Sequence, residues 1–379
     1  MNLEPTDEQQ AITTVLRELS TDVIRPAARA CEDAGRVTED IEAHLRGMGV
    51  AAPVPEEFGG QGTFDAVTSV MIAEELAWGD PGVAFSILGS GLVATLIDLV
   101  GTPHQRELHL PALARGARGG VMLAERDAGA DFSRLEAAVT GGVLGGTKYA
   151  VPNADEPGPR LVAALGGGRL GLWVLAPSTE LVAQPEDKLG LRSARTFKVT
   201  LDGAPAGELL GGDDGDAALV TFALLRAKLL NAGVALGLAR AALEYATVYA
   251  KERTAFGKPI GAFQGISFKI ADRAMDVEAA RLLTWKAAWA VDRGPEGALG
   301  VDGTAKAVMS ACTQAVATAV ATADDAVQIL GGHGYMRDHP VELWYRDALT
   351  LATFDSPSMV GDLFLARAFE VPQATEAVR

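Results

Sequence analysis

The stretch Ala218–Arg253, ALVTFALLRAKLLNAGVALGLARAALEYATVYAKER, carries the reading of the fold. Its apolar positions recur at helical spacing over the whole length without a proline, so it is one long amphipathic helix. Two more such segments follow: FQGISFKIADRAMDVEAARLLTWKAAWAVD (Phe263–Asp292) and GTAKAVMSACTQAVATAVATADDAVQIL (Gly303–Leu330). Long amphipathic helices in succession with short connections imply an up-and-down bundle.

Upstream the periodicity changes twice. From Thr6 to about Ala117 the pattern is again helical. Thr6 and Gln9 form a capping box ahead of AITTVLRELSTDVI, and the segments beginning at Phe64 and Pro81 continue the pattern. Between them and the bundle, roughly Arg118 to Gly212, glycine and proline separate short apolar runs such as RLVAALG, LGLWVLA and FKVTLDG. These read as strands of a small antiparallel domain. The expected division is a helical region over 1–117, a β region over 118–212 and a helical bundle over 213–379.

Composition narrows the function classes. The 379 residues hold 33 Lys and Arg against 49 Asp and Glu, a net charge of -16, so general attraction to nucleic-acid phosphates has no footing. The N-terminus MNLEPTDEQQ is polar and acidic, unlike a signal peptide, and no apolar run reads as a membrane span; a cytoplasmic protein is expected. Cys31 and Cys312 read as buried thiols, and the five histidines lack metal-ligand spacing, so no metal site is expected.

Several local motifs lead nowhere. GGGRLG (Gly166–Gly171) has the spacing of a dinucleotide-binding loop, but LWVLAP follows it as a strand where a helix is needed, so a hairpin turn is expected. GGDDGD lacks the closing glutamate of a calcium loop and reads as a solvated link.

The C-terminal half is more specific. Arg253 and Phe256 end a helix in KERTAFGKPIGAFQ, Gly257 and Pro259 break it, and Gln264 opens the next, which sets a guanidinium at a helix junction suited to a phosphate. Gln328 ends the third long helix, and Gly331, Gly332 and Gly334 follow, allowing a ligand close approach to the backbone. Each feature has a plainer alternative, a helix C-cap or a surface charge.

Together, VPEEFGGQG, AEELAWGDPG, ERDAGAD, KLGLRSARTF, ERTAFGKPIGAFQ, ARLLTWKAAWAVD, QILGGHGY and YRDALTLATFD resemble the acyl-CoA dehydrogenase family in order and spacing over nearly the whole chain. The resemblance implies a mainly α fold with a β insert: an N-terminal helical domain, a middle β domain and a C-terminal four-helix bundle. It further implies FAD where the β domain meets the bundle, fatty-acid metabolism, and a tetramer, either of identical chains or with a paralogue. Arg253, Gln328 and Gly332 are implied contacts to the ADP portion of FAD bound by a neighbouring subunit, and Phe256, Gln264 and Gly331 are further implied cofactor contacts. The implied substrate is an acyl thioester of CoA or of an acyl carrier protein, and the implied electron acceptor is an electron-transfer flavoprotein.

The family's chemistry removes the α-proton of a thioester with a carboxylate while the β-hydride goes to flavin N5. The base residue's backbone N–H and a ribityl hydroxyl polarise the carbonyl. Counting from Arg346-Asp347-Ala348, the family's glutamate falls on Asp355, in FDSP. Aspartate withdraws the carboxylate by about 1.5 Å, and misplacement by about 1 Å can cost on the order of a hundredfold. A helix cap is the alternative role for Asp355.

Other positions also depart from the family. AERDAGAD stands for TEPGAGSD, so Ala124 and Ala130, after Leu123, replace hydroxyl side chains expected to meet the flavin. In KYAVPNA, Ala150 stands for the aromatic backing the flavin ring and Pro152 for the threonine near N5. On the first long helix, Lys228 takes the place of a usual arginine and reads as a phosphate contact or a solvated lysine, and Leu225 takes one that is often polar. Leu92, Val93, Leu96 and Ile97 are candidates for an acyl pocket or for plain core. Besides a homomeric dehydrogenase, these departures leave two readings open: a noncatalytic subunit of a heteromeric dehydrogenase, and a nitroalkane-oxidase-like flavin oxidase using the aspartate.

Overall fold

The computed structural model describes residues 4–126, 135–176, 178–212 and 215–354. Helices α1 (Asp7–Leu19), α2 (Arg25–Ala34), α3 (Glu39–Gly47), α4 (Ala66–Gly79), α5 (Pro81–Val100) and α6 (Pro103–Ala114) come first. Their ends are written in the sequence. Thr6 Oγ1 accepts from Gln9 N at 3.2 Å while Gln9 Oε1 accepts from Thr6 N at 3.0 Å, closing the capping box. Asp80 Oδ1 accepts from Val83 N at 2.7 Å, with Pro81 in the first turn of α5 where its missing N–H is harmless.

Among the described residues the middle region holds ten short strands, β1 (Gly120–Met122), β2 (Ala138–Thr140), β3 (Val143–Gly145), β4 (Thr147–Pro152), β5 (Arg160–Gly166), β6 (Arg169–Leu175), β7 (Val182–Pro185), β8 (Thr196–Thr200), β9 (Ala204–Pro205) and β10 (Glu208–Leu209). One sheet runs β10-β6-β5-β2-β3-β9 with β1 also on β5, and a second runs β4-β8-β7. Most pairings are antiparallel as expected, but β1 and β2 both pair parallel to β5. Each reaches β5 through a long connection rather than a hairpin turn, which leaves strand direction free. Gly167 and Gly168 take positive φ in the turn joining β5 to β6, so GGGRLG is a hairpin.

The bundle consists of α7 (Ala217–Glu252), α8 (Gln264–Asp292), α9 (Gly300–Leu330) and α10 (Val341–Phe354). A two-strand hairpin, β11 (Thr254–Ala255) and β12 (Lys258–Pro259), separates α7 from α8 where Gly257 and Pro259 were expected to break the helix. A Cβ at Gly233 or Gly237 would run into α4, at Ala73 and at Glu74 O, so these glycines let α4 lie directly against α7.

One apolar core runs through both helical regions, from Leu16, Ile24 and Leu76 to Leu229, Leu236, Val316 and Trp344. A second joins α5, α6 and the start of α7 to β5 and β6. α5 and α7 are long and apolar enough to cross a membrane by length and composition, contrary to the expectation that no such run exists. Their most apolar stretches are 72% buried inside the protein, so that hydrophobicity belongs to the core. Both cysteines are buried thiols, and Cys312 Sγ donates to Lys228 O at 3.5 Å.

Charge knits the helices where the core ends. Arg240 of α7 reaches Glu74 at 2.9 Å and both oxygens of Glu75 at 2.9 Å, Arg17 of α1 reaches Glu75 at 2.5 Å, and Arg281 of α8 reaches Glu74 at 2.9 Å. Two adjacent carboxylates thus tie four helices together.

Candidate active site

A cleft of about 690 Å³, including its mouth, opens between α5, α7 and the β region. Its helical side carries Phe85, Leu88 and Leu92 from α5 and Lys228, Asn231 and Val234 from α7. Its other side carries Val121, Leu123, Ala124, Tyr149, Ala150 and Pro152. Phe354, the last residue of α10, closes one end. Its ring packs on Phe85 with centroids 5.3 Å apart and planes tilted by 55°. A wider opening of about 1190 Å³ shares Ala124, Tyr149, Ala150 and Phe354 and adds Glu186, Lys188 and Lys198.

The β side of the cleft is held by a buried ion pair that sequence reasoning did not single out. Lys148 Nζ lies 2.6 Å from Glu125 Oε1, and Glu125 also accepts from Glu136 N at 2.6 Å and Ala137 N at 3.2 Å. Burial pushes the lysine down to about 8, against the pull of Glu125. The short contact, with backbone donors on the carboxylate, marks the pair as charged. Tyr149 N donates to Ala124 O at 3.0 Å, joining residues 123–125 and 148–150 into one wall. A charged residue within an apolar strand pattern was the available signal. A bulge between Lys148 and Val151, with Ala150 at φ 51°, turns that backbone toward the cleft.

α10 is fixed to the β region from the other side. Leu191 N donates to Asp347 Oδ1 at 2.5 Å, Gly190 N donates to Thr350 Oγ1 at 3.0 Å, and Arg346 Nη1 donates to Leu189 O at 2.6 Å. Ser193 Oγ donates to Asp80 Oδ1 at 2.9 Å, bringing the start of α5 to the same loop. Burial raises both Asp347 and Asp80, and Asp80 pushes Asp347 further up.

Of the residues singled out in the sequence, Leu92, Leu123, Ala124, Ala150, Pro152 and Lys228 line this one cleft. Lys228 is only 3% exposed, so it is not a solvated lysine. Leu96, with Val93 and Ile97, lies in the core under α6 and the sheet, and Leu225 lies in the helical core; none of them reaches the cleft. Ala130 and Asp355 lie outside the described residues, Asp355 being next in sequence after Phe354.

The remaining set gathers elsewhere. Arg253, Phe256, Gln264, Gln328, Gly331 and Gly332 are all exposed, Phe256 to 95%, and none lines the cleft. Tyr249 and His333 Nδ1 hydrogen-bond at 2.7 Å, bringing the last turn of α7 alongside the 3₁₀ turn Gly331–Tyr335. Arg253 caps α7 one turn later.

The acyl-CoA dehydrogenase N-terminal domain model matches residues 6–117 and the acyl-CoA dehydrogenase C-terminal domain model matches residues 214–368. A probable acyl-CoA dehydrogenase, YngJ of Bacillus subtilis (strain 168), is 32% identical, covering 97% of this chain and 99% of its own length. The structure of butyryl-CoA dehydrogenase from Megasphaera elsdenii superposes with a TM-score of 0.83 at 29% identity, over 97% of this chain and 99% of that one. A glutaryl-coenzyme A dehydrogenase in complex with glutaryl-CoA superposes with a TM-score of 0.84 at 28% identity, over 97% and 96%. The chain therefore belongs to the acyl-CoA dehydrogenase family of FAD-dependent oxidoreductases.

Proposed function

We propose that this chain dehydrogenates an acyl-CoA thioester in its own cleft, with Asp355 as the base that removes the α-proton. The observation that carries this reading is the position of Phe354. The residue before Asp355 closes the end of the cleft, in ring contact with α5, whose side chains Leu88 and Leu92 form an apolar wall for an acyl chain.

The cleft fits a flavin ring on its β side. Ala124, Ala150 and Pro152 present short side chains beside Leu123 and Tyr149, and the Glu125–Lys148 pair holds the two segments in register. The shared opening at Ala124, Tyr149 and Ala150 gives the space a second way out of the cleft. When bound there, FAD supplies the acceptor for the hydride that leaves the β-carbon. Arg253, Gln328 and Gly332, exposed and remote from the cleft, suit the ADP portion of a cofactor held by a neighbouring copy.

The protein's own part is positional and acid–base. The α5 and α7 walls exclude water and orient the thioester, the backbone N–H at position 355 polarises its carbonyl, and the α-proton passes to the Asp355 carboxylate. The hydrogen bonds of Asp347 and Thr350 to the loop at Gly190 and Leu191 fix the helix that leads to this base. An electron-transfer flavoprotein would take up the electrons.

The test is anaerobic addition of straight-chain acyl-CoA esters to the protein purified alone, with FAD counted per protomer. Loss of the oxidised-flavin absorbance from a protein carrying about one FAD per protomer is expected. One observation favours a second reading, a noncatalytic subunit of a heteromeric dehydrogenase: residues 124, 150 and 152 offer the flavin no hydroxyl. A folded protein that binds no FAD by itself supports that reading and contradicts the first.

A further inference from the structure

The helical side of the cleft is apolar except on one stripe of α7. Ala227, Leu230, Asn231 and Val234 recur at helical spacing and face the same space. Leucine or valine at position 231 would complete the wall. Asn231 is half-buried there and makes no hydrogen bond among the described residues. Its amide offers two donors and one carbonyl acceptor to whatever fills the cleft. Lys228, one turn earlier, lines the same space and makes this stripe the polar part of the helical side.

An unpartnered amide in such a wall discriminates between acyl groups. While the cleft is hydrated, water satisfies the amide. When a plain alkyl chain displaces that water, the donors and acceptor are left unmatched, which disfavours the complex. A chain with an oxygen at that depth replaces the water instead. Sites built to pair with a polar substituent reject analogues that lack it far more strongly than apolar pockets reject an extra methylene. Asparagine is also a poorer helix former than leucine, so nothing in the local structure of α7 calls for it.

We propose that Asn231 sets the substrate class of this enzyme: an acyl thioester carrying a hydroxyl or carbonyl oxygen beyond its α and β carbons. This rests on the reading of the cleft as the acyl site. Asn231 lines the helical wall of the cleft and is assigned no part in proton or hydride movement.

The experiment measures anaerobic flavin reduction in the FAD-loaded protein by hexanoyl-CoA, 5-hydroxyhexanoyl-CoA, 6-hydroxyhexanoyl-CoA and 5-oxohexanoyl-CoA, in the natural protein and in Asn231→Leu. At least one oxygenated ester is expected to exceed hexanoyl-CoA in kcat/KM by about tenfold or more, with the preference lost or reversed in Asn231→Leu at unchanged FAD per protomer. Asn231→Asp separates the two oxygens, since a carboxylate keeps an acceptor for a hydroxyl and loses the donor for a carbonyl. Reduction by hexanoyl-CoA at least as good as by every oxygenated ester, with the same ratios in Asn231→Leu, overturns the proposal and leaves the acyl site standing. If none of the esters reduces the flavin, the reading of the cleft as an acyl site fails, and this proposal with it.

Discussion

The rings of Phe85 and Phe354 meet at 5.3 Å across the end of the cleft, one from α5 and the other from the last turn of α10. This contact seats the end of the described part of α10 against α5. Phe354→Ala removes the ring pair and opens the cleft. A loss of about 2–4 kcal/mol in stability is expected because the site is only partly buried. The flavin-reduction rate should fall further than KM rises, since the wall and the lead-in to the base are lost together. Phe354→Leu, which keeps volume, should recover most of the stability and less of the rate, as rapid-mixing kinetics on the two variants would show.

Lys148 and Glu125 are both buried, so removing one partner strands the other. Lys148→Met is expected to lower stability by about 3–5 kcal/mol. FAD content should fall with it, because the same pair aligns residues 123–125 with 148–150. The double variant Lys148→Met/Glu125→Leu should lose less than Glu125→Leu alone. Chemical unfolding with FAD titration checks both statements.

Asp347 gives a pH signature. Burial and the neighbouring Asp80 raise its folded-state pKa well above the ordinary carboxylate value. The native state then holds a proton that the unfolded chain has released, so its stabilising effect is fully present below the unfolded pKa, about 3.9, and is lost as pH rises toward the folded value. Asp347→Asn keeps an acceptor for Leu191 N and carries no charge. Its melting temperature is expected to match or exceed that of the natural protein at pH 7, and the difference should shrink on acidification toward pH 4. A difference that grows on acidification contradicts the assignment.

Arg253 is exposed on a face away from the cleft, so Arg253→Ala should leave the protein folded. Loss of one charge-assisted contact, about 1.5–3 kcal/mol, predicts FAD binding weaker by roughly ten- to a hundredfold. Mixed oligomers make the point sharper. Arg253→Ala combined with a cleft variant such as Ala150→Trp should regain part of the FAD occupancy that either homo-oligomer lacks, provided the arginine serves a neighbour's cofactor.

Much of this was legible in the sequence because it depends on local rules. The Thr6 capping box, the Gly167-Gly168 hairpin turn, the end of α7 at Arg253 and the start of α8 at Gln264 follow from side-chain and backbone preferences of a few neighbouring residues. What depends on the relative rotation of packed elements did not show. Leu92 and Leu96 are one turn apart on α5, yet Leu92 faces the cleft while Leu96 is sealed beneath the sheet. Periodicity finds the apolar stripe but not the neighbour that covers each part of it. The Glu125–Lys148 pair, the Asp347 contact to Leu191 and the placing of Asn231 in the cleft wall are long-range relationships of the same kind. The hairpin-linked strands pair antiparallel as expected, whereas the parallel pairing of β1 and β2 with β5 was not legible, because long connections carry no directional signal.

The central claim is that Asp355 removes the α-proton, and the most direct measurement is anaerobic stopped-flow reduction of the bound flavin by acyl-CoA in the natural protein and in Asp355→Asn. The account predicts that the two carry the same FAD per protomer and form the same oligomer. It also predicts that reduction in Asp355→Asn is slower by a thousandfold or more, roughly 4 kcal/mol of lost transition-state stabilisation, with an α-deuterium isotope effect in the natural protein. Flavin reduction at an undiminished rate in Asp355→Asn would contradict it.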